Sequence, residues 1–167
     1  MKDLKILIIT LAFSIVLIAG FTFFVRGEKE EASFSNQDIE GIEVKPEFYD
    51  LGKVPIDGGV VTREYELKNV SGTTLRLKKM ATSCMCTKAS FEIGDRKTRF
   101  FGMEGHGDRN PPVNIDIPDG ASGKVVVQFD PAAHGPQGIG PFERSVFLTF
   151  SDPAGIKELK FNGEVVN

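Results

Sequence analysis

From Val44 onward, apolar and polar residues alternate along the chain. Val61, Tyr65 and Leu67 are interleaved with Thr62, Glu64, Glu66 and Lys68, and Leu75 and Leu77 with Arg76 and Lys78. The same period recurs at Val113, Ile115 and Ile117, at Val125, Val127 and Phe129, at Val146, Leu148 and Phe150, and at Leu159 and Phe161. A period of two marks strands with one face on a core. Turn residues punctuate the runs: Ser71-Gly72, Gly94-Asp95, Pro118-Asp119-Gly120, Ser122-Gly123 and Asp152-Pro153-Ala154-Gly155. Nothing after Val25 carries the period of a long amphipathic helix, and Asp130–Ala133 reads as at most one helical turn. Seven or eight short strands over residues 44–167 predict an all-β, immunoglobulin-like antiparallel β-sandwich. The chain has no Trp, so the Cys–Trp–Cys core of antibody domains is not part of that expectation.

The N-terminal pattern is different. Ile6 to Val25 runs without a charge, long enough as a helix to cross a bilayer core of about 30 Å. A cleaved signal has a shorter apolar core, usually about 7–15 residues, and small residues at its cleavage site. Leu17-Ile18-Ala19-Gly20 fits that poorly, and no cysteine follows the run to take a lipid. Residues 1–26 are therefore expected to be a cytoplasmic stub and transmembrane signal anchor. Lys2 and Lys5 before the span balance Arg26 and Lys29 after it, so the short leading flank sets the orientation, with the C-terminal part outside the cytoplasm. Residues 27–43, polar and acid-rich, read as a tether, and residues 44–167 as the sandwich.

Composition narrows the function. The 167 residues leave room for one domain and its appendage. Twenty Lys and Arg against 23 Asp and Glu give a net charge of −3, which provides no field for gripping a phosphate backbone, so nucleic acid is not an expected partner. Arg76, Lys78, Lys79, Lys88, Arg96, Lys97 and Arg99 cluster around Glu92 and Asp95, a pattern that a solvated sheet face explains. Asn69-Val70-Ser71 has the form of a glycosylation acceptor.

Candidate chemistry is concentrated in Thr82-Ser83-Cys84-Met85-Cys86-Thr87, which holds both cysteines of the chain. On a regular strand their Cα atoms would stand about 6.5–7 Å apart, so a disulfide between them requires a local kink. Reduced, metal-bound and disulfide forms all remain open. The soft donors point to Cu(I), with Cys84 and Cys86 as ligands and Met80, Met103, His106 or His134 as a third. A structural Cys-x-Cys beside a turn is the competing explanation. Zinc fits less well, because Cys-x-Cys is tighter than the spacing of common structural sites. A redox Cys-x-x-Cys, a hydrolase nucleophile motif, a phosphate loop and a dinucleotide fingerprint are all absent from the sequence.

The order of strand, Asn69-Val70-Ser71-Gly72 turn, Leu75 and Ser83-Cys84-Met85-Cys86-Thr87 resembles the bacterial extracytoplasmic domain of unknown function 1573. Gly123 to Phe129, Gly135, Phe142 to Phe150 and Asn162-Gly163-Glu164-Val165 are similar to its remaining strands. The resemblance implies a bacterial extracytoplasmic immunoglobulin-like sandwich, of a kind carried on signal peptides, lipid anchors or membrane helices, and it implies no reaction. With the Ile6–Val25 run, the expected location is the inner membrane with the sandwich on the periplasmic side. Met85 stands where that family usually has Gly, and residues 91–118 look like an insertion forming a surface loop. The resulting expectation is a binding or assembly module without catalytic activity or cofactor, held in lipid through residues 6–25 and engaging an extracytoplasmic protein. A copper(I)-binding protein or metallochaperone using Cys84 and Cys86 is the alternative. If the apolar run is an uncleaved anchor, the mature protein starts near Met1 and stays in the membrane fraction. A mature N-terminus at Phe21 or beyond, read by intact mass, would remove the anchor.

Overall fold

The computed structural model describes residues 38–105 and 110–167. The expected membrane span and most of the tether lie outside the described residues, as does His106. No helix among the described residues is long and apolar enough to cross a membrane.

Ten strands form two five-stranded sheets among the described residues. The first sheet has the order β1 (Ile42–Lys45), β3 (Val61–Asn69), β8 (Ser122–Phe129), β5 (Thr87–Ile93), β6 (Arg96–Lys97). The second has the order β2 (Phe48–Pro55), β10 (Ala154–Val166), β9 (Gly140–Ser151), β4 (Leu75–Thr82), β7 (Ile115–Ile117). The alternating residues supply the layer between them. Tyr65 and Leu67 of β3, Val125, Val127 and Phe129 of β8, Val146, Leu148 and Phe150 of β9 and Leu159 and Phe161 of β10 are all buried. Phe129 stacks on Phe142 at 4.4 Å and meets Phe161 edge-on at 5.7 Å. Tyr65 buries its ring and donates its hydroxyl to the Lys160 carbonyl at 2.8 Å, tying β3 to β10. Burial, with Tyr49 nearby, raises the pKa of that phenol, so it stays a donor.

Four features depart from the expected pattern. Strands β2 and β10 pair in parallel, so the sandwich is mixed rather than wholly antiparallel. It also begins earlier than residue 44: β1 starts at Ile42, and Asp38 bridges Ile156. The stretch 91–118 is not only a surface loop. It completes β5, forms β6 and β7, and buries Phe101, Ile115 and Ile117. Finally, Ser122-Gly123 opens strand β8 instead of making a turn. A Cβ on Gly123 would lie 2.9 Å from the Glu92 carbonyl oxygen and 2.5 Å from the Phe91 ring, so close packing excludes a side chain there.

Asn69 explains the turn at the end of β3. Its amide donates to the carbonyls of Thr73 (2.7 Å) and Ile117 (2.8 Å), and its side-chain oxygen accepts from the Ser71 N–H and hydroxyl. One buried side chain thus ties the first sheet to β7 of the second. Both amide hydrogens are engaged, so the folded protein has no accessible glycosylation nitrogen at this position. Replacing Asn69 with Ala strands the buried Ile117 carbonyl and frees Ser71 from its side-chain acceptor, and destabilisation of about 2 kcal/mol is expected in denaturant unfolding followed by circular dichroism. A change below about 0.5 kcal/mol would show that water replaces the amide.

Candidate metal centre

The site begins with a register shift. Between Leu77 and Lys79 the pairing of β4 with β9 slips, which turns the inward face from Leu75 and Leu77 to Met80 and Thr82. A bulge of this kind re-aims every side chain that follows it. Thr82 therefore points inward at the end of β4, and its hydroxyl is 3.0 Å from the carbonyls of both Cys84 and Thr87. Residues 83–86 then carry the chain from the second sheet to the first. The Thr87 N–H closes the turn on the Cys84 carbonyl at 3.1 Å. Ser83 fastens it to β9: its N–H donates to the Ser145 carbonyl (3.0 Å), and its hydroxyl accepts from the Ser145 N–H (2.9 Å).

This turn supplies the kink that a straight strand lacks. The Cα atoms of Cys84 and Cys86 are 5.2 Å apart, and the two residues are joined as a disulfide. Cys84 is 8% exposed and Cys86 2%, whereas Met85 between them is 53% exposed and points outward. Met85 is therefore a tip residue rather than a partner to the sulfurs.

The connection from β8 to β9 completes the site. The Asp130 N–H donates to the Cys86 carbonyl at 2.8 Å, and its carboxylate accepts from the Ala132 N–H at 2.9 Å. The turn that follows leads into a short 3-10 helix, Gly135–Gly138, and sets His134 at its head. His134 Nε2 comes to 3.1 Å from Cys84 Sγ, although the two residues are 50 positions apart. Both sulfurs and one imidazole nitrogen lie within 4.8 Å of one another. Of the four candidates for a third ligand, the structure thus brings His134 to the cysteines. Met80 is fully buried in the core opposite Leu148. Met103 is half-buried and follows Gly102, whose carbonyl accepts the Thr82 N–H.

Arg144 of β9 was not legible as a site residue. Its Nε donates to Cys86 Sγ at 3.2 Å, and its guanidinium lies 5.7 Å from the centre of the Phe142 ring. Only the fold places it there; no local motif surrounds it. Three of the seven basic residues noted around the cysteines form ion pairs: Arg76 with Asp116, Lys79 with Glu104 and Lys97 with Glu92. The hydrogen bond from Arg76 lowers the pKa of Asp116, so the small contribution of that exposed pair is present at neutral pH and is lost as acid protonates the carboxylate.

Residues 42–95, from β1 through β5 and including the cysteine turn, match the family described as "Protein of unknown function (DUF1573)". The match covers this segment, about a third of the chain, and supports the resemblance carried by the turn and the cysteine motif. No protein of curated function matches it. Among solved structures, a protein of unknown function from Porphyromonas gingivalis W83 is 19% identical with a TM-score of 0.53, over 81% of this chain and 51% of that one. This chain therefore spans about half of that protein, and the likeness is one of fold. The ASH/PapD-like domain of human CEP192 is 14% identical with a TM-score of 0.44, over 76% of this chain and 86% of that one.

Proposed function

We propose that this protein is a membrane-anchored, extracytoplasmic binding module of immunoglobulin-like type, without catalytic activity, that holds Cu(I) through Cys84, Cys86 and His134. The observation that carries the reading is the approach of His134 Nε2 to Cys84 Sγ at 3.1 Å. It adds an imidazole to two sulfurs that local sequence already places together. Reduction of the disulfide would free two thiolates, and two thiolates with one neutral imidazole form a low-coordinate set that favours Cu(I). Structural zinc sites ask for four ligands, and among the described residues no carboxylate joins this group. His134 is exposed and gives an ion a way in, while the turn behind the sulfurs is closed by hydrogen bonds.

A second reading rests on a different observation. Cys84 and Cys86 both belong to the buried hydrophobic cluster. On that ground the pair serves only to hold the turn between the sheets, and the domain works by docking an extracytoplasmic protein.

A competition titration of the anaerobically reduced full-length protein with a Cu(I) chelator separates the two. One ion per chain is expected. The ion should be lost when both cysteines are Ser and held on the order of 10–100-fold more weakly in His134→Ala. Absence of Cu(I) binding, with a lower melting temperature for the double Ser variant, would assign the pair to the turn.

A further inference from the structure

The surroundings of the two sulfurs differ, and the difference concerns the oxidised protein rather than metal binding. Cys86 is the deeper sulfur, and it receives the Arg144 Nε–H at 3.2 Å, with the Thr87 hydroxyl at 3.7 Å. Cys84 is the more exposed of the two and faces His134, which reaches solvent. Cys84 Sγ has one backbone donor, the Cys86 N–H at 3.2 Å. His134 Nε2, 3.1 Å from Cys84 Sγ, donates or accepts according to its tautomer. A hydrogen bond from a charged guanidinium is about twice as strong as one from a neutral amide or a neutral imidazole, so negative charge is better held on Cys86. Accessibility and charge stabilisation thus select the same direction of bond cleavage.

We infer that the Cys84–Cys86 disulfide exchanges with external thiols, with Cys84 as the sulfur attacked and Cys86 as the leaving group. An incoming thiolate forms a bond to Cys84 Sγ while the Cys84–Cys86 bond breaks, and its electron pair passes to Cys86, held as a thiolate by Arg144. A second thiolate then attacks the external sulfur of the mixed disulfide, releasing Cys84. In sum, two external thiolates become one disulfide, and the two electrons they give up reside on Cys84 and Cys86 as thiolates that take any proton from solvent. The co-reactant is a thiol, either a small molecule or a cysteine of a polypeptide. Met85, apolar and outward-pointing between the two cysteines, offers a contact for a peptide that a small thiol would not use.

The inference does not depend on copper, because the exchange is read on oxidised, metal-free protein. Full-length protein in detergent is mixed with glutathione, or with a leucine-flanked cysteine hexapeptide, then quenched in acid. Free thiols are blocked with N-ethylmaleimide in denaturant, and the adducts are located by fragment-ion mass spectrometry. The expected early product carries the external thiol on Cys84 and the maleimide on Cys86. Arg144→Leu should slow its formation about tenfold, and Arg144→Lys, which keeps the charge, should recover part of the rate. Faster reaction of the peptide would identify a polypeptide thiol as the natural co-reactant, and faster reaction of glutathione a small one. An adduct on Cys86, equal labelling of both cysteines, or no adduct at all would overturn the inference. So would an Arg144→Leu variant that reacts at the wild-type rate. A protein that binds Cu(I) when reduced yet fails here retains the metal reading, and one that reacts at Cys84 but binds no copper loses only that reading.

Discussion

The chain has to pass from one sheet to the other in the four residues 83–86, and the hydrogen bonds that make this passage possible organise the whole site. Ser83 and Met85 face solvent, but Cys84 and Cys86 are buried, and the backbone groups on that inward side need partners within the protein. Here the Thr82 hydroxyl serves two carbonyls, Ser83 exchanges two bonds with Ser145, and the Asp130 N–H takes the Cys86 carbonyl. Each partner comes from a different element. The turn therefore fixes β9 and the β8–β9 connection relative to β4, and the two sulfurs inherit that placement.

The imidazole and the guanidinium follow from the same constraint. His134 is delivered because the segment after β8 is pinned at Asp130, four residues before it. Arg144 reaches Cys86 because its neighbour Ser145 is the residue to which Ser83 is fastened. The register shift in β4 matters equally. Without it Thr82 would face outward, and the turn would lose the hydroxyl that closes it.

Much of the sandwich is legible in the period-two pattern, because burial on one face writes itself into alternate residues. Its failures have physical causes. Parallel pairing of β2 with β10 depends on contacts far apart in sequence that alternation does not encode. Gly123 looks like a turn glycine until the Phe91 ring is seen above it. In the site, Cys84 and Cys86 stand out because they are adjacent, scarce and chemically distinctive. The third ligand could not be chosen among Met80, Met103, His106 and His134 from sequence, since the paths of two loops decide which side chain arrives. Arg144 carries no signal at all, being one arginine on an otherwise ordinary strand.

One turn and one loop bring two sulfurs and a nitrogen within 4.8 Å of one another, the set proposed to bind copper. Copper K-edge X-ray absorption of the reduced, Cu(I)-loaded full-length protein tests that proposal most directly. Three-coordinate copper with two sulfur neighbours and one imidazole nitrogen is expected, the imidazole scattering disappearing in His134→Ala. Sulfur-only coordination that is identical in the wild type and in His134→Ala would contradict it.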